Sequence, residues 1–365
     1  MNKESNKIVN KKKKVLMYYT FENEMGGPVT YIKTIVNSPL KEKYEFAECY
    51  QNTAPGGINI GLLKKMVARI KDESPDILHI HGLQSEGLYG VVAGRLAGVP
   101  EIVMAVHGFS LDSEKISKAK RWVYRYLVEP FEIRHSDEIY CVCEAAQKRD
   151  IIQKSLKRRQ RCGVIHNCIP ELKAERSRSE VRGELGFTED DTVFVIASRI
   201  NTEKGYKILG EAFKRTLSKG CGSCKLLVLG EGDYAEEFAG MMEPEISAGQ
   251  VVMFGRCDCV PDYLNACDVF IMPSYHENMP LSVIEAGQMG LPCIVSDVGG
   301  IPEIIKDSET GYIIHGFDPD DYAEAMCRFI NDKALLKKMS EAVKLDVSDR
   351  FSLKTMCDKL VEVYG

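Results

Sequence analysis

The most regular feature of the sequence is an alternation of short apolar runs with longer stretches of helical periodicity. The runs are apolar on both faces, which is typical of strands buried in a parallel sheet. In the first half of the chain they lie at residues 15–20, 76–81, 102–106, 138–143 and 163–165. Between them, segments such as 62–70 place apolar residues at helical spacing. Strands that alternate with helices predict βαβ units around a parallel sheet.

The same alternation begins again in the second half. Five further apolar runs predict strands at residues 192–197, 225–229, 251–254, 269–272 and 293–295. The charged segment 170–180 lies between the two series and is typical of a linker. We therefore expect an α/β protein with two Rossmann-like domains that face each other across a cleft. Ligands bind such sheets at the carboxyl ends of the strands, so functional residues are expected directly after each strand.

The expected boundaries follow from these patterns. The N-terminal Rossmann-like domain is expected at residues 13–168 and binds the acceptor, and the C-terminal domain is expected at 175–345. Residues 350–365 have helical periodicity and are expected to pack back on the N-terminal domain. The length of 365 residues agrees with two domains, at about 150 residues each.

Composition excludes several classes of protein. With 44% hydrophobic and 28% charged residues, the chain is neither collagen-like nor disordered. No run of about 18 apolar residues predicts a transmembrane helix. The polar N-terminus, with a short apolar segment after residues 11–14, lacks the pattern of a secretory signal. We expect a cytoplasmic protein whose thirteen cysteines are reduced. The spacing of Cys221 and Cys224 is that of half a zinc site or of a redox pair, but a solvent-exposed loop between a helix and a strand is the better explanation.

Charge is distributed unevenly along the chain. Residues 1–165 contain 27 basic and 19 acidic side chains, whereas residues 166–365 contain 21 basic and 34 acidic ones. A basic half is able to contact anionic lipid or another polyanion. Two ordinary domains without a partner for this charge are an equally good explanation. A nucleic-acid partner is not expected, because no recognisable nucleic-acid-binding module is present.

Candidate residues lie at or after the ends of three strands of the first half. Gly27 lies in a paired-glycine turn ahead of a helical segment, where the backbone is able to approach a phosphate, although a simple tight turn would look the same. His79 and His81 are two residues apart, and His107 precedes Gly108. His107 is the best functional candidate of the three, but a histidine at a strand end is equally often structural.

Candidate residues in the second half include a pair of cations. Arg199 ends a predicted strand, and Lys204 follows five residues later in a loop. An Arg that forks two oxygens and a Lys that acts as a point charge suit a diphosphate, although two solvated charges are the alternative. The dinucleotide motif GxGxxG is absent, which disfavours hydride transfer.

The most informative segment is residues 273–287, which leads from a strand into a helix. Backbone N–H groups at Leu281 and Ser282 would lie at the N-terminus of that helix, where phosphate is favoured. Glu285, one turn further, is placed to accept hydrogen bonds from ribose hydroxyls. Glu277, in the preceding loop, is placed to hold sugar hydroxyls.

The sequence resembles the retaining glycosyltransferases of glycosyltransferase family 4, also called glycosyl transferases group 1, which have the GT-B fold. The resemblance covers nearly the whole chain after residue 13. The motifs that carry it are Glu277 and Glu285 with the segment 290–303, Arg199 with Lys204-Gly205, Asp76 to His81, His107-Gly108, and His166 to Pro170.

The resemblance implies a role for each matching position. Arg199 and Lys204 would neutralise the nucleotide diphosphate, and Glu285 would bind the ribose. Glu277 and the backbone of Asn278, Met279 and Leu281 would hold the donor sugar. Gly27 would bring the backbone to the phosphate and acceptor, and His107 would contact the sugar near the reacting carbon. Family members usually have glycine at the positions of Asn278 and Pro280, so the donor-sugar pocket is expected to differ here.

The resemblance also implies a reaction. A sugar would move from a UDP- or GDP-sugar to a glycan or lipid-linked acceptor with retention of configuration, in cell-surface polysaccharide biosynthesis. No cofactor and no metal are expected, since Arg and Lys replace a metal at the diphosphate. Two alternatives stay open: a nucleotide-sugar epimerase of the same fold, and an inactive nucleotide-sugar-binding module.

A basic, aromatic segment at residues 113–134 concerns the acceptor side. Its basic residues are interleaved with aromatic ones at helical spacing, namely Lys115, Lys118, Lys120, Arg121 and Arg125 with Trp122, Tyr124 and Tyr126. Such a helix suits an anionic membrane surface, which would place the protein at the inner face of the membrane. An ordinary amphipathic helix whose aromatic side chains fill the core is the somewhat better explanation.

Overall fold

The structure is a computed structural model that describes residues 11–20, 27–51, 59–112 and 116–365. These residues form two compact units. The first unit comprises the described residues within 1–141, together with 147–165 and 357–365, and the second comprises 142–146 and 166–356. Of the sequence-predicted positions, Lys115 and the residues just before Gly27 lie outside the described ranges.

The first unit is built on a parallel sheet of six strands in the order β2-β1-β3-β4-β5-β6. The central strands are apolar on both faces because helices cover the sheet, and β3 is buried over its whole length. The strands are β1 Lys13–Thr20, β2 Tyr44–Gln51, β3 Ile77–His81, β4 Glu101–Val106, β5 Glu138–Cys141 and β6 Cys162–Val164.

Helices of the first unit connect these strands. A π-helical turn at Tyr124–Val128 joins two of them into one continuous helical stretch. The helices are α1 Gly27–Asn37, α2 Ile60–Glu73, α3 Ser85–Ala97, α4 Lys118–Val123, α5 Glu129–His135, α6 Glu144–Gln147, which crosses the boundary of the units, and α7 Asp150–Ser155.

The second unit repeats the same plan with a parallel sheet in the order β12-β11-β10-β7-β8-β9. The strands β7 and β10 are neighbours at its centre, so their carboxyl ends lie at the same edge. The strands are β7 Thr192–Ala197, β8 Cys224–Leu229, β9 Val251–Gly255, β10 Val269–Met272, β11 Cys293–Ser296 and β12 Gly311–Ile314. The expected α/β class and the two Rossmann-like halves are confirmed.

Helices of the second unit lie between and after its strands. They are α8 Arg178–Leu185, α9 Tyr206–Ser218, α10 Ala235–Met241, α11 Glu243–Ser247, α12 Val260–Ala266, α13 Leu281–Gln288, α14 Ile301–Ile304, α15 Pro319–Asn331 and α16 Lys333–Arg350, followed by α17 Leu353–Tyr364. Helix α17 begins in the second unit and ends in the first. No helix among the described residues is both long and apolar enough to cross a membrane.

The end of α17 is anchored in the first unit by its last residues. The Tyr364 hydroxyl lies 2.7 Å from Nδ1 of His79 in β3, and Lys13 donates a 2.7 Å hydrogen bond to the Tyr364 carbonyl. Tyr364 is fully buried. The anchor explains why a polar residue, His79, is tolerated in the centre of a sheet: its ring has hydrogen-bond partners there.

One expectation about the cysteines is wrong. Cys221 is joined to Cys327 in a disulfide that links the loop before β8 to α15, whereas the sequence predicted reduced thiols. The pairing was not visible in the sequence because the two residues are 106 positions apart.

Candidate functional site

An ion pair marks the carboxyl edge of the second sheet. Lys204, after β7, lies with its Nζ 2.5 Å from Oε1 of Glu277, which follows β10. The two side chains come together because β7 and β10 are adjacent and parallel. The side chain of Glu277 is 8% exposed and that of Lys204 is 19% exposed, so the pair is shielded but still reachable from solvent.

The turn that carries Lys204 is fixed by its neighbours. The Asn201 side chain accepts a hydrogen bond from the Lys204 backbone N–H. Gly205 follows with φ of +72°, and a Cβ there would overlap with the Pro273 carbonyl oxygen. The Tyr275 N–H donates to the Glu203 carbonyl at 2.9 Å. The turn therefore lies directly against the loop after β10, and only glycine fits at the contact.

Arg199 lies on the same edge, two residues beyond the end of β7. Its backbone is held on both sides, since Ser198 donates to the Leu229 carbonyl and Ile200 donates to the Glu231 carbonyl. Its side chain is exposed, and no carboxylate of the described residues pairs with it. An exposed guanidinium on a rigid backbone is suited to bind an anion.

The loop that carries Glu277 is held by backbone contacts. Gly300 donates a 2.7 Å hydrogen bond to the Asn278 carbonyl. Gly299 has φ of +57° and lies against the Glu277 carbonyl so closely that a side chain would overlap with it. Asn167 donates from Nδ2 to the Met279 carbonyl at 2.8 Å. These bonds fix the direction in which the Glu277 carboxylate leaves the loop.

Helix α13 begins directly after this loop, with Leu281 and Ser282 as its first residues. Pro280 occupies the N-cap and provides no side-chain cap, so the first N–H groups of the helix remain available to an anion. Glu285 lies one turn further along. Burial raises the pKa of Glu285 to about 7. Its carboxylate has no hydrogen-bond partner among the described residues, which leaves its oxygens available to hydroxyl donors.

Histidines form a stack at the carboxyl edge of the first sheet. The rings of His79 and His81 lie 4.1 Å apart, and Nδ1 of His81 lies 3.2 Å from Nε2 of His107. Burial lowers the pKa of His107 to about 4 and that of His79 to about 3, and it lowers the pKa of His81 strongly. All three imidazoles are therefore neutral at pH 7. The Tyr140 hydroxyl lies within hydrogen-bond distance of the other ring nitrogen of His79, Nε2, at 3.0 Å.

Gly27 is the first residue of α1 and is exposed. The same helix contributes Tyr31, whose ring packs edge-on against His107 with 5.4 Å between centroids. Gly27 and His107 therefore belong to the first unit, whereas the other predicted site residues belong to the second. The roles assigned to all of them stay predictions.

The basic, aromatic segment does not fill the core. Trp122 and Tyr126 are 57% and 55% exposed, and only Tyr124 of the three aromatic residues is buried. The explanation that the sequence favoured, an amphipathic helix with buried aromatic side chains, is therefore wrong for these two residues. Side chains two residues apart on a helix point in roughly opposite directions, so the burial of Tyr124 leaves Trp122 and Tyr126 in solvent, and helical spacing alone does not reveal which of these two sides is buried.

Sequence reasoning gave no role to three residues that shape the second unit. Asn167 supports the loop of Glu277, as described above. Glu303 accepts hydrogen bonds from the backbone of Glu144 and Ala145 and from His166 Nε2 at 3.0 Å. Burial acts to raise the pKa of Glu303, but these hydrogen bonds hold it below its ordinary value. His166, Asn167 and Glu303 all lie in the motifs quoted for the resemblance, which was the available signal.

Comparison with known protein families gives two matches. Residues 177–346 match the glycosyl transferases group 1, and residues 54–168 match the glycosyl transferase 4-like domain. Together the two matches span most of the chain. They agree with the family that the sequence motifs indicated.

Curated relatives are similar over most of their length. A UDP-Gal:alpha-D-GlcNAc-diphosphoundecaprenol alpha-1,3-galactosyltransferase of Escherichia coli is 28% identical over 320 residues, which cover 84% of this chain and 81% of the relative. The capsular polysaccharide biosynthesis glycosyltransferase CapM of Staphylococcus aureus is 25% identical over 93% of both chains. These comparisons support a glycosyltransferase and give no support to the epimerase or binding-module alternatives.

Solved structures agree on the fold. HepE of Anabaena, in complex with UDP and glucose, matches with a TM-score of 0.78 and 18% identity over 96% of this chain and 99% of its own. Sucrose-phosphate synthase of Thermosynechococcus elongatus matches with a TM-score of 0.79 and 16% identity over 97% of this chain and 98% of its own. The GT-B fold implied by the resemblance is confirmed.

Proposed function

Since the chain belongs to the glycosyl transferases group 1, we propose that it moves a sugar from a UDP- or GDP-sugar to a glycan or lipid-linked acceptor in cell-surface polysaccharide biosynthesis. The observation that carries the proposal is the arrangement around the Lys204–Glu277 ion pair. A fixed cation, a nearby exposed guanidinium and an uncapped helix N-terminus lie along one edge of one sheet. This set of groups suits a ligand that contains a diphosphate, a sugar and a ribose.

The donor is proposed to bind in the second unit. Arg199 and Lys204 neutralise the diphosphate, and the N–H groups of Leu281 and Ser282 donate to its oxygens. Glu285 accepts hydrogen bonds from the ribose hydroxyls. Glu277, together with the backbone of Asn278 and Met279, holds the hydroxyls of the donor sugar.

Transfer is proposed to retain the configuration at the anomeric carbon and to need no metal. Arg199 and Lys204 stabilise the negative charge that develops on the leaving diphosphate, which is the task a metal performs elsewhere. The acceptor hydroxyl attacks from the face that the diphosphate leaves, and a phosphate oxygen takes its proton. The C–O bond to the diphosphate breaks as the new glycosidic bond forms, and the nucleoside diphosphate leaves with the bonding electron pair.

Glu277 is proposed to bind the sugar and not to act as a nucleophile. Its Oε1 is engaged by Lys204 at 2.5 Å, which reduces its tendency to attack carbon. A double displacement would instead require a free carboxylate on the far face of the sugar. Mass spectrometry of the protein after incubation with a 2-fluoro nucleotide sugar tests this step. A glycosyl adduct on Glu277 would overturn the same-face mechanism.

The first unit is proposed to serve the acceptor and the reacting sugar. Gly27 brings exposed backbone to the substrates, and the neutral ring of His107 contacts the sugar near the reacting carbon. A lipid-linked acceptor would place the enzyme at the inner face of the membrane, in peripheral contact with anionic lipid through this unit.

Turnover with and without acceptor tests the proposed function. Purified protein is incubated with UDP- and GDP-sugars in EDTA, and release of nucleoside diphosphate is followed. We expect slow hydrolysis with one of the donors, accelerated by an undecaprenyl-diphosphate-linked saccharide. Absence of turnover with every donor, with or without that acceptor, would contradict the proposal.

A further inference from the structure

Exposed hydrophobic side chains are concentrated in one part of the first unit. Among the described residues, eleven large hydrophobic side chains are exposed, and five of them lie between residues 111 and 127. Single exposed hydrophobic residues are normal on a protein surface, but a cluster marks an interaction site. The five are Leu111, Trp122, Val123, Tyr126 and Leu127.

Four of these side chains form one surface. Trp122 and Tyr126 are one helical turn apart, with 5.5 Å between ring centroids, and Val123 and Leu127 are spaced in the same way. Leu127 is 57% exposed and Val123 is 41% exposed. We call these four residues, with the cations that flank them, the basic aromatic surface.

The helical stretch that forms this surface carries basic side chains only, and the exposed Asp150, whose carboxylate interacts with Arg125, is itself paired with Lys154. Residues 116–128 contain four basic side chains and no acidic one. The guanidinium of Arg125 lies 5.5 Å from the centre of the Tyr126 ring, and the ammonium of Lys120 lies 5.4 Å from the centre of the buried Tyr124 ring. Lys118 and Lys120 are exposed, and Arg121 and Arg125 are half-buried. The next acidic residue, Glu129, is itself buried and accepts a hydrogen bond from the Ser110 N–H.

We propose that the basic aromatic surface docks on a lipid bilayer that contains anionic headgroups. Trp and Tyr combine an apolar ring with a polar atom, and they prefer the depth at which headgroups meet acyl chains. Lys and Arg extend from the same helical stretch to reach the headgroup phosphates. The absence of any carboxylate in residues 116–128 favours an anionic surface over a protein partner of mixed charge.

The proposed contact between the basic aromatic surface and the bilayer is shallow, because the surface is short. The exposed hydrophobic side chains occupy less than two helical turns, which suits insertion into the headgroup layer and excludes a span of the bilayer. Affinity therefore depends on both the rings and the charges, so it falls with salt. The inference rests on the proposed lipid-linked acceptor for its biological use, but the contact itself requires no donor.

Flotation with vesicles tests the inference. The full chain is mixed with vesicles of phosphatidylcholine alone, or with vesicles that also contain about 40% phosphatidylglycerol as the anionic lipid. We expect flotation only with the anionic vesicles, lost at about 0.5 M salt. The double variants Trp122→Ser/Tyr126→Ser and Lys120→Gln/Arg125→Gln should each reduce the bound fraction at least about tenfold. Leu345→Ser, which removes a 77% exposed leucine of the second unit, is the matched control and should float like the wild type.

Two results would overturn the inference. One is equal flotation of wild type and both double variants. The other is no flotation of the wild type with the anionic vesicles, and a dimer in sedimentation velocity that Trp122→Ser dissociates would then assign the surface to a second copy of the chain. Donor hydrolysis without vesicles is measured for every variant. It should stay unchanged, so loss of flotation with intact hydrolysis separates this inference from the proposed function.

Discussion

The ammonium of Lys204 lies 2.5 Å from the Glu277 carboxylate, although the two residues are 73 positions apart in the chain. The pair forms where the turn after β7 meets the loop after β10. It connects the cation proposed for the diphosphate with the carboxylate proposed for the sugar, so a single bound donor would contact both ends of the pair. Loss of either side chain leaves the other without its partner.

Replacement of Lys204 tests its proposed role at the diphosphate. Removal of one electrostatic contact to a developing negative charge costs about 2.7–4 kcal/mol, by analogy with oxyanion donors. We therefore expect Lys204→Ala and Arg199→Ala each to lower kcat about two to three orders of magnitude.

The matched control is Lys207→Ala, which removes an exposed lysine from the first turn of α9 on the same segment. Its kcat should remain within about twofold of the wild type. A loss smaller than about threefold in Lys204→Ala and Arg199→Ala would count against the assignment.

Glu285 predicts a pH dependence of donor binding. Its pKa is raised to about 7 by burial, and the ionised carboxylate is the better acceptor for two ribose hydroxyls. Binding should strengthen as the pH rises from 6 to 8, by about ninefold, since the ionised fraction rises from about a tenth to nine tenths. Isothermal titration across this range with a UDP-sugar, whose diphosphate lacks the terminal phosphate that titrates at about pH 6, measures it. The dependence should disappear in Glu285→Gln, and an unchanged profile in that variant would refute the role.

The same shift predicts the sign of one contribution to stability. The pKa of Glu285 is higher in the folded chain than the ordinary value of 4.5, so the folded state holds the proton more tightly. This contribution is complete below about pH 4.5 and is lost as the pH rises through about 7. Between these values, the free energy of unfolding of the wild type should therefore fall with pH relative to Glu285→Gln. Urea melts at pH 5 and pH 8 compare the two proteins, and parallel behaviour would contradict the shift.

The buried histidines predict a contribution to the free energy of unfolding that rises with pH, opposite to that of Glu285. The pKa of His107 is lowered by burial to about 4 in the folded chain, below its ordinary value of 6.5, and burial also lowers the pKa of His81 well below 6.5. Unfolding takes up protons between these values, so stability is full above about pH 6.5 and falls as the pH falls toward 4. The midpoint of urea unfolding should decline from pH 7 to pH 5, and His81→Phe should decline less steeply. Equal slopes would show that His81 is not held neutral by the fold.

Two glycines with nearly equal backbone angles allow two effects of an alanine substitution to be measured apart. One is the conformational cost of a positive φ, and the other is steric overlap of the new Cβ with a neighbouring atom. Gly186 and Gly205 have φ of +71° and +72°, but a Cβ at Gly186 meets nothing within 4 Å, whereas at Gly205 it overlaps with the Pro273 carbonyl. Gly186→Ala should cost about 1 kcal/mol of unfolding free energy, and Gly205→Ala about 3 kcal/mol or more. Equal costs in denaturant melts would show that the turn after β7 does not depend on this contact.

Much of the fold could be predicted because burial on both faces produces continuous apolar runs, as in β3 and β7. The edge on which Arg199, Lys204, Glu277 and Glu285 lie followed from the same rule for parallel sheets. The Lys204–Glu277 pair could not be predicted from periodicity, because it depends on which strands are neighbours and on loop contacts at Gly205.

The exposed face at Trp122 and Tyr126 is a feature that the sequence pattern did not predict. The sequence favoured inward packing of these rings, but Tyr124 between them is the buried ring, and Trp122 and Tyr126 lie in solvent on the other side of the helix. The spacing of aromatic residues along a helix is the same whether they pack in the core or form an exposed interaction surface. Only the packing of the neighbouring elements decides whether the rings are buried or exposed.

The most direct test of the account is the anomeric configuration of the sugar released from the donor. The protein is incubated in EDTA with a panel of α-linked UDP-, GDP- and ADP-sugars, and the initial product is observed by proton NMR before it mutarotates. The account predicts that one UDP- or GDP-sugar is hydrolysed without metal and that the first sugar to appear is the α-anomer. Release of the β-anomer, or turnover only after a divalent metal is restored, would contradict it.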